Sequence, residues 1–182
     1  MCIRDSLKPA FVSTFLNGYG YLYDYVSGSY ADPSVRPNMA VAIGLDFSPL
    51  DRRQRKGVLD VVTRELLTPK GLRTLSPKSY GYRPFYLGSP EEREMALHNG
   101  PSRPWLFGFY ADAYLRVFGL SGVGYIDRML IGYEDEMTQG CIGSLSQLYD
   151  GNPPFTGRGA ISHAVNVAEI LRTLTTLKKF NM

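Results

Sequence analysis

The sequence is short of the residues that build disulfide frameworks and metal centres. Cysteine occurs only at Cys2 and Cys141, too few for the bridges that staple small secreted domains, and this scarcity fits a reducing, cytoplasmic setting. Histidine occurs only at His98 and His163, which excludes a three-histidine metal site, and no Cys/His spacing suggests zinc. No apolar run reaches the roughly 18 residues needed to span a bilayer, and the N-terminus lacks the apolar region of a secretory signal. Charge is nearly balanced, with 20 basic and 17 acidic residues giving +3. No block of like charge marks a nucleic-acid footprint. Neither a phosphate-cradling Gly-Lys loop nor a dinucleotide fingerprint is present.

What the chain does have is enough length for one sizeable core, 182 residues, and 13 tyrosines, many beside Gly, Pro and Asp in stretches without helical periodicity. Tyrosine offers a flat apolar face and a hydroxyl, a combination that suits stacking on sugar rings while bonding their edges. Burial in a core is the ordinary fate of any single tyrosine; the clustering in loops is the more informative feature. The opening Met1-Cys2-Ile3-Arg4-Asp5-Ser6 differs in style from all that follows and reads as a non-native leader over residues 1–6, leaving 7–182 as the domain.

Helical periodicity then recurs between long connections. A short helix, or the end of a truncated one, is expected from Leu7 to about Leu16, followed by the aromatic, alternating Asn17 to Val26, which can pair as a hairpin. Pro37 suits the first turn of a helix running through Met39, Ala40, Val41, Ile43, Leu45 and Phe47. Asp51 caps the next, whose Val58, Leu59, Val62 and Leu66 form one stripe. Pro104 opens an apolar helix to about Phe118, a more polar one runs from Tyr125 to about Thr138, and a last one starts at Gly159. In that last helix Ile161, Val165, Ala168, Ile170, Leu171 and Leu174 are expected to face the core. The pattern of inner helix, short link, outer helix and long loop is that of stacked helical hairpins in a ring. Loops 18–35, 68–103 and 139–158 each precede an inner helix, so they are expected on one face. A shared cleft there would bring together Asp24, Arg36, Asn38, His98, Asn99, Trp105, Gln147 and Asp150.

Each of these residues also has a structural reading. Asn99 and His98 can donate to and accept from sugar hydroxyls, and Trp105 supplies a stacking face, but Asn99 equally suits a helix cap. Arg36 and Asn38 sit at a helix start where polar ligand contacts are common, yet Arg36 could pair with Asp24 or Asp32. Glu134-Asp135-Glu136 reads as a solvated helix face, because neighbours on a helix do not face one another. Ser162 and His163 are adjacent and point apart, which argues against a hydrolase triad.

Several blocks resemble the C-terminal amylo-alpha-1,6-glucosidase region of glycogen debranching enzymes of bacterial type. They are Gly20-Tyr21-Leu22-Tyr23-Asp24, Val35-Arg36-Pro37-Asn38, Arg64-Glu65-Leu66-Leu67-Thr68-Pro69, Gly71-Leu72-Arg73-Thr74-Leu75-Ser76-Pro77, His98-Asn99-Gly100, Pro104-Trp105-Leu106, residues 143–154, and Arg158-Gly159. The resemblance implies an all-α fold, about half of an (α/α)6 toroid, with the missing N-terminal half of the domain carrying the general acid. It implies inverting hydrolysis of α-1,6-linked glucose in a branched α-glucan or malto-oligosaccharide, without metal or organic cofactor, and with no nucleic-acid or membrane partner. Together with the expected cleft it makes Tyr21, Asp24, Arg36, Asn38, His98, Asn99 and Trp105 candidate substrate contacts, with Arg103 able to reshape a subsite, and it puts Gln147 at the position of the family's general-base glutamate.

That position is the main departure, since an amide cannot take a proton from water at neutral pH. Asp150 stands three residues on, as a substitute base or a support. A second departure is His98-Asn99-Gly100-Pro101-Ser102-Arg103, in which Arg103 follows where the family has threonine and tryptophan. Three readings therefore stay open: part of a working glucosidase whose base comes from elsewhere, a glucan-binding relative without hydrolysis, or a helical interaction module with no sugar site.

Overall fold

The computed structural model describes residues 3–180. Among the described residues seven α-helices account for about half: α1 (Ile3–Phe15), α2 (Asn38–Gly44), α3 (Arg52–Glu65), α4 (Pro90–Leu97), α5 (Leu106–Phe118), α6 (Val123–Glu136) and α7 (Ala164–Phe180). The expected helices are therefore accompanied by a small amount of strand. The hairpin of β1 (Val26–Ser27) and β2 (Tyr30–Ala31) stands apart from an antiparallel sheet of β3 (Leu67–Thr68), β4 (Gly71–Arg73), β5 (Ser102–Arg103), β6 (Leu148–Tyr149) and β7 (Gly157–Arg158), joined in that order. The stretches that lacked helical periodicity supply all of these strands. Of the residues set apart as a leader, Met1 and Cys2 lie outside the described residues, and α1 begins at Ile3.

Helix α5 is the centre of the packing. It contacts α2 on one side and α7 on the other, with α3 and α6 also against it. Leu106, Phe107, Tyr110, Ala111, Ala113, Leu115 and Val117 are all buried there, so this helix is apolar on most of its circumference. Helix α2 approaches it closely enough that a side chain at Gly44 would meet the Phe109 carbonyl oxygen at 2.7 Å. Helix α3 starts where Asp51 predicts: the Asp51 carboxylate accepts from Gln54 N at 2.8 Å, and Gln54 Oε1 accepts from Asp51 N at 3.0 Å.

Three elements depart from the sequence expectations. Helix α2 stops at Gly44, leaving Leu45 extended and Phe47 exposed. The connection 68–103 holds a helix of its own, α4, started by a capping box in which Ser89 Oγ accepts from Glu92 N and Glu92 Oε2 accepts from Ser89 N. Helix α7 is rotated relative to its apolar pattern. It begins at Ala164, five residues after the expected start at Gly159, so Ile161 lies exposed in the preceding loop; within the helix Asn166, Ile170, Thr173 and Leu177 face inward while Val165, Ala168 and Leu171 are exposed. The hydrogen bonds of Asn166, described below, fix that rotation.

A buried carboxylate braces the turn from α3 into the sheet. Glu65 accepts from Lys78 Nζ at 2.7 Å, Arg64 Nε at 3.0 Å and Ser76 Oγ at 3.0 Å. Burial alone would raise its pKa, but these donors outweigh burial and hold the carboxyl below its usual range. The stabilisation is thus present above the unfolded value of about 4.3 and is lost as pH falls through the lower folded value. We expect Glu65→Gln to lose about 1–3 kcal/mol at pH 6 and less as pH falls to 3, measured by urea denaturation across that range. A constant difference at both pH values would refute the assignment.

Candidate functional site

A cleft of about 330 Å³ opens between the start of α2, the end of α4 and the start of α5, lined by Arg36, Pro37, Asn38, Thr74, His98, Arg103, Trp105 and Leu106. Five of the residues singled out from sequence meet here: Arg36, Asn38, His98, Arg103 and Trp105. The indole of Trp105 is held by an edge contact with Phe109, 6.0 Å between centroids at 84°.

The cleft walls are cross-linked by Arg36. Its Nη1 donates to His98 O at 2.6 Å and Thr74 O at 3.2 Å, its Nη2 donates to Asn99 Oδ1 at 3.0 Å, and its Nε lies 3.8 Å from Asp24 Oδ2. Asp24 in turn accepts from Asn38 Nδ2 at 2.7 Å. Asp24 and Asn99 thus stand behind the lining and hold it, and Asn99 also donates to Met95 O at 2.8 Å near the end of α4. Arg103 donates from Nη2 to Leu97 O at 3.2 Å, and burial draws its pKa below the usual arginine value. Tyr21 is elsewhere: its hydroxyl donates to Pro33 O at 3.0 Å, and its ring borders a separate depression with Val61, Glu65 and Lys78.

Gln147 and Asp150 do not line this cleft. Strand β6 pairs with β5 through Ser102 and Tyr149, and Gln147 immediately precedes β6. The Gln147 side chain accepts from Ala160 N through Oε1 at 3.2 Å, and its backbone N–H donates to Ala160 O at 2.8 Å. It packs on Gly159, where a Cβ would collide with it and whose φ of +70° favours glycine. Gly159 also borders a second open depression with Tyr86, Leu87, Gly88, Arg93 and Arg158.

Asp150 is 1% exposed. Its Oδ1 accepts from Tyr86 N at 3.0 Å, and its Oδ2 accepts from Arg158 Nε at 3.0 Å and Nη2 at 2.9 Å. Both oxygens therefore have fixed donors, and the carboxylate joins the loop after β4 to β7. Among the described residues no group of three or more His, Cys, Asp or Glu could hold a metal ion.

Sequence reasoning missed Asn166 and Thr74. Thr74 Oγ1 accepts from Gly100 N at 2.9 Å and donates to Pro101 O at 3.1 Å, fixing the turn that carries His98 toward Arg103. Asn166 is fully buried, with Oδ1 accepting from Trp105 N at 3.2 Å and Nδ2 donating to Ser146 O at 2.7 Å and Gln147 O at 3.1 Å. The one signal for Asn166 was a poor helix former among good ones.

An aromatic face beside neutral and cationic hydrogen-bond donors is the chemistry of a site for a polyhydroxylated ligand. The amylo-alpha-1,6-glucosidase family model matches residues 2–172, and the chain belongs to that family. It is similar to the glycogen debranching enzyme of Saccharomyces cerevisiae, 31% identical over 97 residues that make up 50% of this chain and 6% of that protein. The chain thus spans a small part of the length of that curated relative.

Breaking a buried ion pair by neutralising one partner costs about 3 kcal/mol or more. We expect Asp150→Asn to lower stability by about that amount in urea denaturation, because the new amide offers N–H groups to Arg158. An unchanged stability would mean that the carboxylate is free for another role.

Proposed function

We propose that this chain forms the sugar-holding part of a glycoside hydrolase-type site for branched α-glucans, with α-1,6 linkages at the branch point as the target of the complete protein. The observation that carries this reading is the cleft in which Trp105 faces Asn38, His98, Arg36 and Arg103. A glucosyl ring laid on the indole would present its hydroxyls to those groups. Inverting chemistry needs an acid and a base carboxyl roughly 6.5–9.5 Å apart. In this reading both the acid and further helical hairpins come from a preceding part of the same domain. The exposed Val165, Ala168 and Leu171 of α7 offer a face that such hairpins would cover. Asp150, committed to Tyr86 N and Arg158, supports the loop and does not replace the base.

Gln147 favours a second reading, glucan binding without hydrolysis. An amide at the base position orients water without deprotonating it. The two readings part in the full-length parent protein, where the binding reading predicts no glucose from a branched limit dextrin and release restored by Gln147→Glu. Glucose release by the unaltered parent would rule that second reading out.

For this chain the expected outcome is binding without turnover. Trp105 is the sole tryptophan, so its emission reports directly on the cleft. Titration with a branched malto-oligosaccharide should shift that emission with saturation, and His98→Ala or Asn38→Ala should weaken binding about tenfold, the equivalent of about 1.4 kcal/mol. Absence of saturable binding up to millimolar ligand would overturn the sugar-site reading, and measurable hydrolysis would overturn the claim that the acid is supplied from outside.

A further inference from the structure

We propose that Asn166 is a positioning residue that locks the backbone at Gln147 to the backbone at Trp105. It thereby sets the spacing between the indole on which a glucosyl unit is held and the position from which water would be directed at it. The proposal rests on the glucan-site reading above and deepens it by naming what registers the two halves of that site.

The argument starts from the amide itself. Asparagine carries an acceptor and two donors in one rigid plane. Asn166 uses both kinds at once: Oδ1 takes the Trp105 N–H at the entry to α5, and Nδ2 is shared by the Ser146 and Gln147 carbonyls ahead of β6. All three partners are backbone atoms. The tie therefore fixes where the two segments run, whatever side chains stand at 105 and 147. It is also costly to omit, because a buried amide or carbonyl left without a partner loses its solvation with nothing in return.

Among the described residues, and apart from the strand pairing at Ser102 and Tyr149, no other hydrogen bond joins the segment at Trp105 to the segment at Gln147. Trp105 otherwise packs on Phe109 and against the buried apolar cluster. Gln147 is otherwise braced by Ala160, in the connection between β7 and α7. Strand β5 pairs with β6 at Ser102 and Tyr149, which leaves the next residues toward Trp105 and Gln147 to be joined through Asn166. The helix pays a small propensity cost for asparagine near its first turn, and the same bonds turn Asn166 inward while apolar Val165 is exposed.

Two substitutions in the full chain separate the halves of the tie. Asn166→Asp keeps an acceptor for Trp105 N–H but faces the Ser146 and Gln147 carbonyls with a carboxylate oxygen. Asn166→Ser removes both arms without adding charge, since a serine hydroxyl in a helix bonds back to its own preceding turn. Amide exchange by NMR reads each arm. For Asn166→Asp we expect the Trp105 N–H to stay protected while the Gln147 and His163 N–H groups, which bond to Ala160 O and Leu145 O, exchange about tenfold faster. For Asn166→Ser all three should accelerate. Maltoheptaose, followed by Trp105 emission, should bind about tenfold more weakly to both variants.

Identical exchange patterns in the two variants, or unchanged protection at Gln147 in both, would overturn the tie. Affinity within about twofold of the unaltered chain would overturn the positioning role even if exchange changed. If the unaltered chain fails to bind maltoheptaose, the glucan reading and the positioning role both fall, while the exchange arm still decides whether Asn166 joins the two segments. Should Asn166→Asp not fold, Asn166→Ser carries the same decision on exchange at Trp105 and Gln147.

Discussion

The guanidinium of Arg36 is the point through which the walls of the cleft are made one object. A planar group with five donors can bond several carbonyls at fixed angles, and here it takes carbonyls from the strand exit at Thr74 and the helix end at His98, with Asn99 and Asp24 completing its surroundings. Lysine could satisfy one or two of these at a time. Without this group, three segments far apart in the chain would each have to be held by its own short turn. Because Arg36 spends its donors mainly on protein, it acts chiefly as a frame, while Asn38, His98, Arg103 and Trp105 remain the polar and aromatic lining.

The frame needs the backbone to come unusually close. A side chain at Gly100 would run into the Arg83 carbonyl, and one at Gly151 into the Gly100 carbonyl and the Tyr82 hydroxyl. Gly71, at φ +118°, sits against the backbone of Arg103 and Pro104. These approaches let strands of two or three residues form a continuous five-stranded sheet. The sheet converts loops that would otherwise be loosely attached into a floor beneath the helix starts. Its stability is borrowed from the helices, since strands this short have little pairing energy of their own.

Helices were legible where a local signal and a periodic stripe agreed. Asp51 with Gln54, and the apolar run from Leu106 to Val117, specify α3 and α5 through interactions within a few residues. Helix α4 carried an equally local signal, Ser89-Pro90-Glu91-Glu92, but it lies in a stretch rich in Pro, Gly and Tyr and buries only Ala96, so no stripe announced it. Strands of two residues cannot display a period at all, which is why the sheet was not foreseen. In the site, the grouping of Arg36, Asn38, His98 and Trp105 followed from loops preceding neighbouring helices, whereas Arg103 was not part of that expected cleft. The offset of Gln147 and Asp150 from that cleft depends on strand register, and the inward turn of Asn166 depends on tertiary hydrogen bonds. Neither is written in local sequence.

The environment of Gln147 explains why an amide can stand there without disturbing anything else. One oxygen is required, to accept from Ala160 N, and the other terminal atom makes no hydrogen bond among the described residues. A carboxylate would satisfy the same donor with one oxygen and leave the second directed outward, so the two side chains are interchangeable as structure. They are not interchangeable as chemistry, because only the carboxylate can take a proton. The fold around this position therefore constrains shape and a single acceptor, and leaves the identity of the other terminal atom unconstrained by hydrogen bonding. In the proposed reading, in which Gln147 stands at the base position, a change from carboxylate to amide alters reactivity while the cap on Ala160, the packing on Gly159 and the tie through Asn166 all persist.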